Sequence, residues 1–153
     1  MALDDLYRDV ILDHYAHPRN RGRLDPRDIT AEGANPLCGD ELTLFVRLDG
    51  DRVAAIRFEG RGCSISQASA SMMTEAVAGK TLEEVRALVD AFRAMMHGGA
   101  PAAALGDLVA LQGVRKFPVR VKCATLPWVT LEQGLDDAAA GRPATTVTTD
   151  TRE

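Results

Sequence analysis

Leu42-Thr43-Leu44-Phe45-Val46-Arg47-Leu48-Asp49-Gly50-Asp51-Arg52-Val53-Ala54-Ala55-Ile56-Arg57-Phe58-Glu59 is the stretch on which the fold turns. Leu42, Leu44, Val46 and Leu48 alternate with more polar positions, the period of a strand with one buried face. Asp49-Gly50-Asp51-Arg52 supplies a turn, and Ala54, Ile56 and Phe58 alternate along a return strand over 53–59. Matching apolar face to apolar face sets Val46 opposite Ile56 and Leu44 opposite Phe58, so facing numbers sum to 102. Extended to the open end, that register brings Cys38 beside Ser64, next to Cys63; a slip of one residue sets the two cysteines directly opposite. In both cases the hairpin delivers Cys38 and Cys63 to one end of a sheet.

Upstream, residues 3–15 read as an amphipathic helix, with Leu3, Leu6, Tyr7, Val10, Ile11 and His14 at helical spacing and an acidic start that suits the helix dipole. Residues 17–37 are rich in Pro, Arg and Gly and predict a long ordered loop or a short edge strand. Downstream, Gly60-Arg61-Gly62-Cys63 leads into a Ser- and Ala-rich helix over 64–78. Thr81-Leu82-Glu83-Glu84 is a capping box opening a helix with Val85, Leu88, Val89, Phe92 and Met96 on one face, ended by Gly98-Gly99. Met95-Met96 reads as core filler rather than a metal site. A short helix over 102–111 follows Pro101, and 113–121 links it onward. The last helix carries Trp128, Leu131, Leu135 and Ala138 on one stripe. Pro127 requires that it either begin near Cys123 or kink, and the first option seats Cys123 at a helix N-terminus, where a thiolate is stabilised.

The chain has 153 residues, room for one domain. Residues 1–140 are expected to form it, with 141–153, rich in Thr and charge, as a disordered tail. With 18 Lys plus Arg against 22 Asp plus Glu the net charge is -4, which argues against a grip on duplex nucleic acid. No apolar run is long enough to span a membrane. The acidic N-terminus, with Asp4, Asp5, Asp9 and Asp13, lacks the layout of a signal peptide. A soluble cytoplasmic protein is expected.

Three cysteines, Cys38, Cys63 and Cys123, cannot pair off internally. They could be small buried hydrophobes. Their neighbours suggest otherwise. In an extended segment Cys38 and Asp40 share a face, with Gly39 leaving room between them, and Gly60 and Gly62 free the backbone to turn Cys63 toward Cys38. If Cys123 starts a helix packed on this sheet end, three thiolates and one carboxylate converge, a set suited to a tetrahedral ion, zinc first. Such a set holds surplus negative charge, for which Arg61, Arg120 and Lys122 are candidate cations. A nucleophilic cysteine enzyme would need a histidine base, and no motif places His14, His17 or His97 beside a cysteine. No phosphate loop or dinucleotide fingerprint is present.

Taken together, Asn35-Pro36-Leu37-Cys38-Gly39-Asp40, Gly60-Arg61-Gly62-Cys63-Ser64-Ile65-Ser66 and Phe117-Pro118-Val119-Arg120-Val121-Lys122-Cys123-Ala124-Thr125-Leu126 resemble the IscU/SufU (NifU-N-like) family of iron–sulfur cluster assembly proteins over residues 3–140. Within it the chain is similar to the SufU-type branch. IscU-type members carry a histidine immediately before the last cysteine, where this chain has Lys122. They also carry a Leu-Pro-Pro-Val-Lys segment, where this chain has Lys116-Phe117-Pro118-Val119-Arg120, and a shorter stretch between the last two cysteines. The elements and the resemblance together imply an α+β fold, a small antiparallel sheet of about three strands packed against helices.

The resemblance further implies zinc held by Cys38, Asp40, Cys63 and Cys123. Cys38 would be the reactive member, receiving persulfide sulfur from a PLP-dependent cysteine desulfurase of the SufS type. Arg120 matches an arginine of the SufU-type pattern that assists docking or ligand exchange, with Lys122 a weaker candidate for such a role. The implied activity is a sulfurtransferase relay toward downstream SUF cluster-assembly proteins, one that stimulates a desulfurase rather than acting as a stand-alone catalyst. Nucleic acid and membrane are not expected partners. The alternatives are a scaffold building a [2Fe–2S] cluster, with iron, on the same ligands, and a structural zinc module with a protein-binding face.

Overall fold

A computed structural model describes residues 3–142 and 144–148, with side chains from Arg8 onward apart from Thr145. The hairpin forms as the alternation requires: β2 (Asp40–Asp49) pairs antiparallel with β3 (Arg52–Arg61), Val46 facing Ile56 and Leu44 facing Phe58. The register of 102 holds from Glu41↔Arg61 to Arg47↔Ala55 and then shifts by one at Arg47/Leu48, so that Leu48 faces Val53. This bulge reverses the inside and outside of the return strand near the turn. Val53 is buried and Ala54 exposed, where strict alternation would have placed Ala54 inward.

The expected loop or edge strand contains β1 (Ile29–Asn35), and it is not at an edge. The sheet order is β3-β2-β1-β4, with β1 antiparallel to β2 and parallel to β4 (Ala144–Thr148). The sheet is therefore four-stranded and mixed, not a three-stranded antiparallel one. Five residues of the expected disordered tail form its last strand; residues 149–153 lie outside the described residues. After Ile29, which is buried in the core, β1 carries no large apolar side chain, and a helix lies close against it there. A Cβ on Gly33 would stand 2.2 Å from the Thr130 hydroxyl oxygen of the last helix. The free edge of β3 is capped by the segment after the first helix, through Gly22 N–H to Phe58 carbonyl (2.8 Å) and Phe58 N–H to Asn20 carbonyl (3.0 Å). On the sheet face away from the helices, Phe45 is covered by the guanidinium groups of Arg23 and Arg27, 5.3 and 5.0 Å from its ring centre.

Helices cover the other face. The first, α1 (Leu3–Ala16), buries Ile11 and His14; the expected roles of Leu3, Leu6 and Tyr7 lie outside the described side chains. His14 is a packed residue: its Nδ1 is 2.7 Å from Ser71 Oγ, and burial lowers its pKa. The second, α2 (Ser64–Val77), is the central helix, buried along Ser66–Thr74. Small residues let its neighbours approach: Ser69 Oγ donates to the Ala124 carbonyl (2.6 Å) and receives the Trp128 indole N–H (3.2 Å). The third, α3 (Leu82–Met96), begins with the expected capping box and buries Met95 and Met96 with the rest of its stripe. Its Phe92 ring stacks on Trp128, centroids 4.6 Å apart.

Two boundaries differ from the sequence reading. The short helix and its link are one 3₁₀ run, Ala103–Lys116, broken at Gly106. The last helix, α4 (Pro118–Ala139), starts five residues before Cys123, so Pro127 lies inside it. Pro118 at its first turn is the proline whose missing N–H goes unneeded. Pro127 leaves the Cys123 carbonyl without its usual i+4 donor.

The close approach of β1 and α4 is testable. Gly33→Ala should lower unfolding free energy by about 1–3 kcal/mol through overpacking against Thr130, read from urea melts of the two proteins. Equal midpoints would show that the contact yields freely.

Candidate metal centre

The turn joining β1 to β2 carries Cys38. Asn35 and Asp40 are directly paired across its base. The turn closes through Cys38 N–H to the Asn35 carbonyl (3.1 Å) and Gly39 N–H to the Pro36 carbonyl (3.3 Å). Gly39 has φ +69°, and nothing lies within 4 Å of where its Cβ would stand. Its contribution is thus a left-handed turn residue, rather than room between Cys38 and Asp40. Leu37 and Gly39 are exposed and Cys38 is half-buried, so the sulfur sits on an accessible knuckle.

Asp40 is 1% exposed. Its Oδ1 accepts from the Cys63 amide (2.9 Å) and the Ser66 hydroxyl (3.1 Å). That contact requires glycine at position 62, where a Cβ would stand 2.3 Å from the same oxygen. Cys63 is the N-cap of α2, its sulfur accepting from the Ser66 amide at 3.5 Å. Its Sγ lies 4.0 Å from Asp40 Oδ2. Cys123, fully buried and well inside the first turns of α4, points back at the same place. The side-chain donors of Cys38, Asp40 and Cys123 all lie within 4.8 Å of one another. Cys63 borders this trio, next to Asp40 on one side and near enough to Cys123 on the other for the two thiols to shift each other's pKa.

These donors suit zinc. Bonds of about 2.3 Å at tetrahedral angles set sulfurs roughly 3.8 Å apart, so the trio needs only a slight contraction. Among the described residues no Lys or Arg forms an ion pair with Asp40. A buried carboxylate without a cation is an expensive arrangement that a metal ion resolves. The thiols show the same crowding. The Cys123 hydrogen bond, with help from the Ser66 amide, pulls the Cys63 thiol down to about 6. The shared hydrogen bond, together with burial, pushes the Cys123 thiol up.

Of the three candidate cations, Arg120 is the one coupled to the cysteines. It lies one turn before Cys123 on the same side of α4, and the negative charge of Cys63, followed by that of Cys123 and Cys38, raises its pKa. Arg61 is exposed and pairs with Glu41 at 2.7 Å. Lys122 lines a cleft with Arg93, His97 and Arg115 and a smaller one with Asn35 and Leu37, beside the Cys38 turn. Sequence reasoning assigned no role to Asn35 or Ser66. Both are buried polar residues bonded to the donor set, Asn35 through its Nδ2, which donates to the Cys123 sulfur at 3.6 Å. Ser66 could have been found from its place three residues after an N-cap cysteine.

Comparison with known proteins gives the same picture. The NifU-like N terminal domain family matches residues 6–124. The chain is 51% identical over 141 residues to the zinc-dependent sulfurtransferase SufU of Bacillus subtilis, covering 91% of this chain and 95% of that protein. It is 44% identical to the iron–sulfur cluster assembly scaffold protein IscU of Streptococcus pyogenes, covering 90% of this chain and 87% of that one. The crystal structure of FiSufU from Fervidobacterium islandicum superposes with a TM-score of 0.80 at 37% identity, over 86% of this chain and 98% of that chain. The chain belongs to the NifU-like N-terminal domain family.

Two outcomes follow from the geometry. Asp40→Ala should weaken zinc binding at least tenfold in a chelator competition. Asp40→Asn, which keeps an oxygen for the Cys63 amide, should retain the fold while still losing affinity; unchanged affinity in both removes Asp40 from the ligand set. In metal-free protein, alkylation of Cys63 should rise with pH through about 6 and level off above it. One pH unit below that midpoint the rate should be about a tenth of the plateau, while Cys123 stays unmodified at neutral pH; peptide mass spectrometry reads both.

Proposed function

We propose that this member of the NifU-like N-terminal domain family is a zinc-dependent sulfur acceptor of iron–sulfur cluster assembly. Cys38, Asp40, Cys63 and Cys123 are the ligands in this reading, and Cys38 receives the sulfur. The donor is the persulfide of a PLP-dependent cysteine desulfurase of the SufS type, met in the cytoplasm, and the recipients are downstream SUF assembly proteins. The observation that carries the reading is the difference in access within the set: Asp40 and Cys123 are 1% and 0% exposed, whereas Cys38 and Cys63 are half-buried, and of these two only Cys38 stands on a turn between exposed neighbours, Leu37 and Gly39. A sulfur carrier needs a reachable thiol beside buried ligands that stay in place.

Bound zinc supplies charge that keeps the thiols ionised, without redox chemistry of its own. The chain's residues do the rest. The Cys38 thiolate attacks the outer sulfur of the donor persulfide. A bond forms between Cys38 Sγ and that sulfur, the donor's S–S bond breaks, and the donor cysteine leaves as a thiolate. The proton of the persulfide stays on the transferred sulfur. The oxidation level carried by the donor passes intact to Cys38, so no further oxidant is needed. Arg120, exposed one turn from Cys123, offsets the negative charge of the set while the donor approaches.

A second reading, a scaffold that assembles and hands on a [2Fe–2S] cluster at the same ligands, is favoured by the 44% identity to a protein named for that role. Anaerobic reconstitution separates the two. Zinc that resists chelators and blocks cluster loading supports relay; ready exchange to a transferable cluster supports the scaffold. For relay itself, Cys38→Ser should reduce the stimulation of alanine formation by a cognate desulfurase to its basal rate. Stimulation equal to wild type would exclude Cys38 as the acceptor.

A further inference from the structure

Asn35 closes β1 at the foot of the Cys38 turn and is 1% exposed. Its side chain crosses from the sheet to α4, where Nδ2 donates to Cys123 Sγ at 3.6 Å. Its Oδ1 is buried with no hydrogen-bond partner among the described residues. A buried acceptor left unpaired opposes folding, so an amide with one satisfied end and one orphaned end is retained for what the satisfied end does. Only the N–H end of the amide is compatible with a ligating sulfur, because a thiolate has no proton to give.

Cys123 needs such a donor. Its sulfur also faces the Val119 carbonyl one turn back, at 3.7 Å, a contact that favours the thiol over the thiolate, and Arg120, the other group that favours its thiolate, is exposed to solvent rather than fixed. The amide opposes the carbonyl's pull from the other side. It carries no charge and does not titrate, so it stays a donor whatever the state of the neighbouring thiols.

We propose that Asn35 is a positioning residue for Cys123: its amide N–H aims the sulfur at Cys38 and Asp40 and draws off thiolate charge, making Cys123 the fixed anchor of the metal while Cys38 exchanges. This rests on the metal-site reading above and adds to it a division of labour between the two cysteines. The same β1–β2 turn thereby serves both ligands. Its tip carries the reachable sulfur and its foot immobilises the unreachable one.

The test uses the full chain loaded with zinc or with cobalt(II). Asn35→Ala and Asn35→Leu should weaken zinc binding 10–100-fold in chelator competition, the usual effect of losing a partner that orients a ligand. They should also move the thiolate-to-cobalt charge-transfer band to lower energy, since an unbonded thiolate is easier to oxidise. Asn35→Ser, which keeps a small donor, should recover part of both effects, and it serves as the readout if the larger changes impair folding. A role confined to packing would lower the melting temperature without moving the band. Wild-type affinity and an unmoved band in folded Asn35→Ala or Asn35→Ser overturn the proposal and leave the metal site standing. Failure of the wild-type protein to bind either ion overturns the metal reading and this proposal with it.

Discussion

The paired residues Asn35 and Asp40, at the foot of one short turn, hold the rest of the site in place. Each is 1% exposed, and each reaches a different helix. Asn35 bonds the Cys123 sulfur on α4, and Asp40 bonds the amide of Cys63 and the hydroxyl of Ser66 at the start of α2. The turn is therefore clamped from both sides at its base while its tip stays reachable. Buried polar bonds of this kind are strong where water is excluded and costly if broken. That combination fixes where the helix ends sit relative to the sheet. The four donors, supplied by four different elements, meet because of these bonds rather than because of their spacing in the chain.

The packing of the helices serves the same end. α2 begins at Cys63 and cannot swing, since Ser69 ties it to α4 through the Ala124 carbonyl and the Trp128 indole. Trp128 in turn stacks on Phe92 of α3. Ser69 lies six residues along α2 from the N-cap, and Ala124 follows Cys123 directly. The helix-to-helix bond thus ties α2 to the residue next to Cys123. α4 is held to the sheet by the glycine at position 33, which lets Thr130 and β1 come into contact. The frame of the site is thus tied together by bonds among the helices and the sheet that do not involve the donor atoms.

What was legible in the sequence follows the strength of its periodicities. The hairpin register read correctly across its middle because Leu44, Val46, Ile56 and Phe58 leave one way to bury a face. It slipped only at the bulge beside the turn, where Val53 and Ala54 are both apolar and the pattern does not choose between them. β1 was hidden because its inward positions after Ile29, Ala31 and Gly33, are small, the very property that lets α4 approach. The 3₁₀ run was also visible in principle: Leu105, Leu108, Leu111 and Val114 are buried at intervals of three, the repeat of that helix rather than of an α-helix. The tail strand could not be read from composition, because Thr-rich sequence becomes a strand only once a partner edge is available.

The position of Cys123 shows how a conclusion can stand whichever way an open choice falls. Pro127 left two options, and the one that placed it near the start of α4 put the cysteine at a helix N-terminus, where the dipole would stabilise its thiolate. The helix instead starts at Pro118, so Cys123 sits beyond that effect and is fully buried. Convergence survives because the direction of a side chain on a helix depends on its angular position, not on its distance from the end. What the deeper location changes is the source of stabilisation for the sulfur. In place of the free amides of a first turn it has the side chains of Asn35 and Arg120, one buried and fixed, the other exposed and free to respond to a partner. A ligand supported by side chains can be adjusted from outside the helix. That property fits the proposed relay, in which Cys38 would be released and recaptured in each transfer while the buried Cys123 would not.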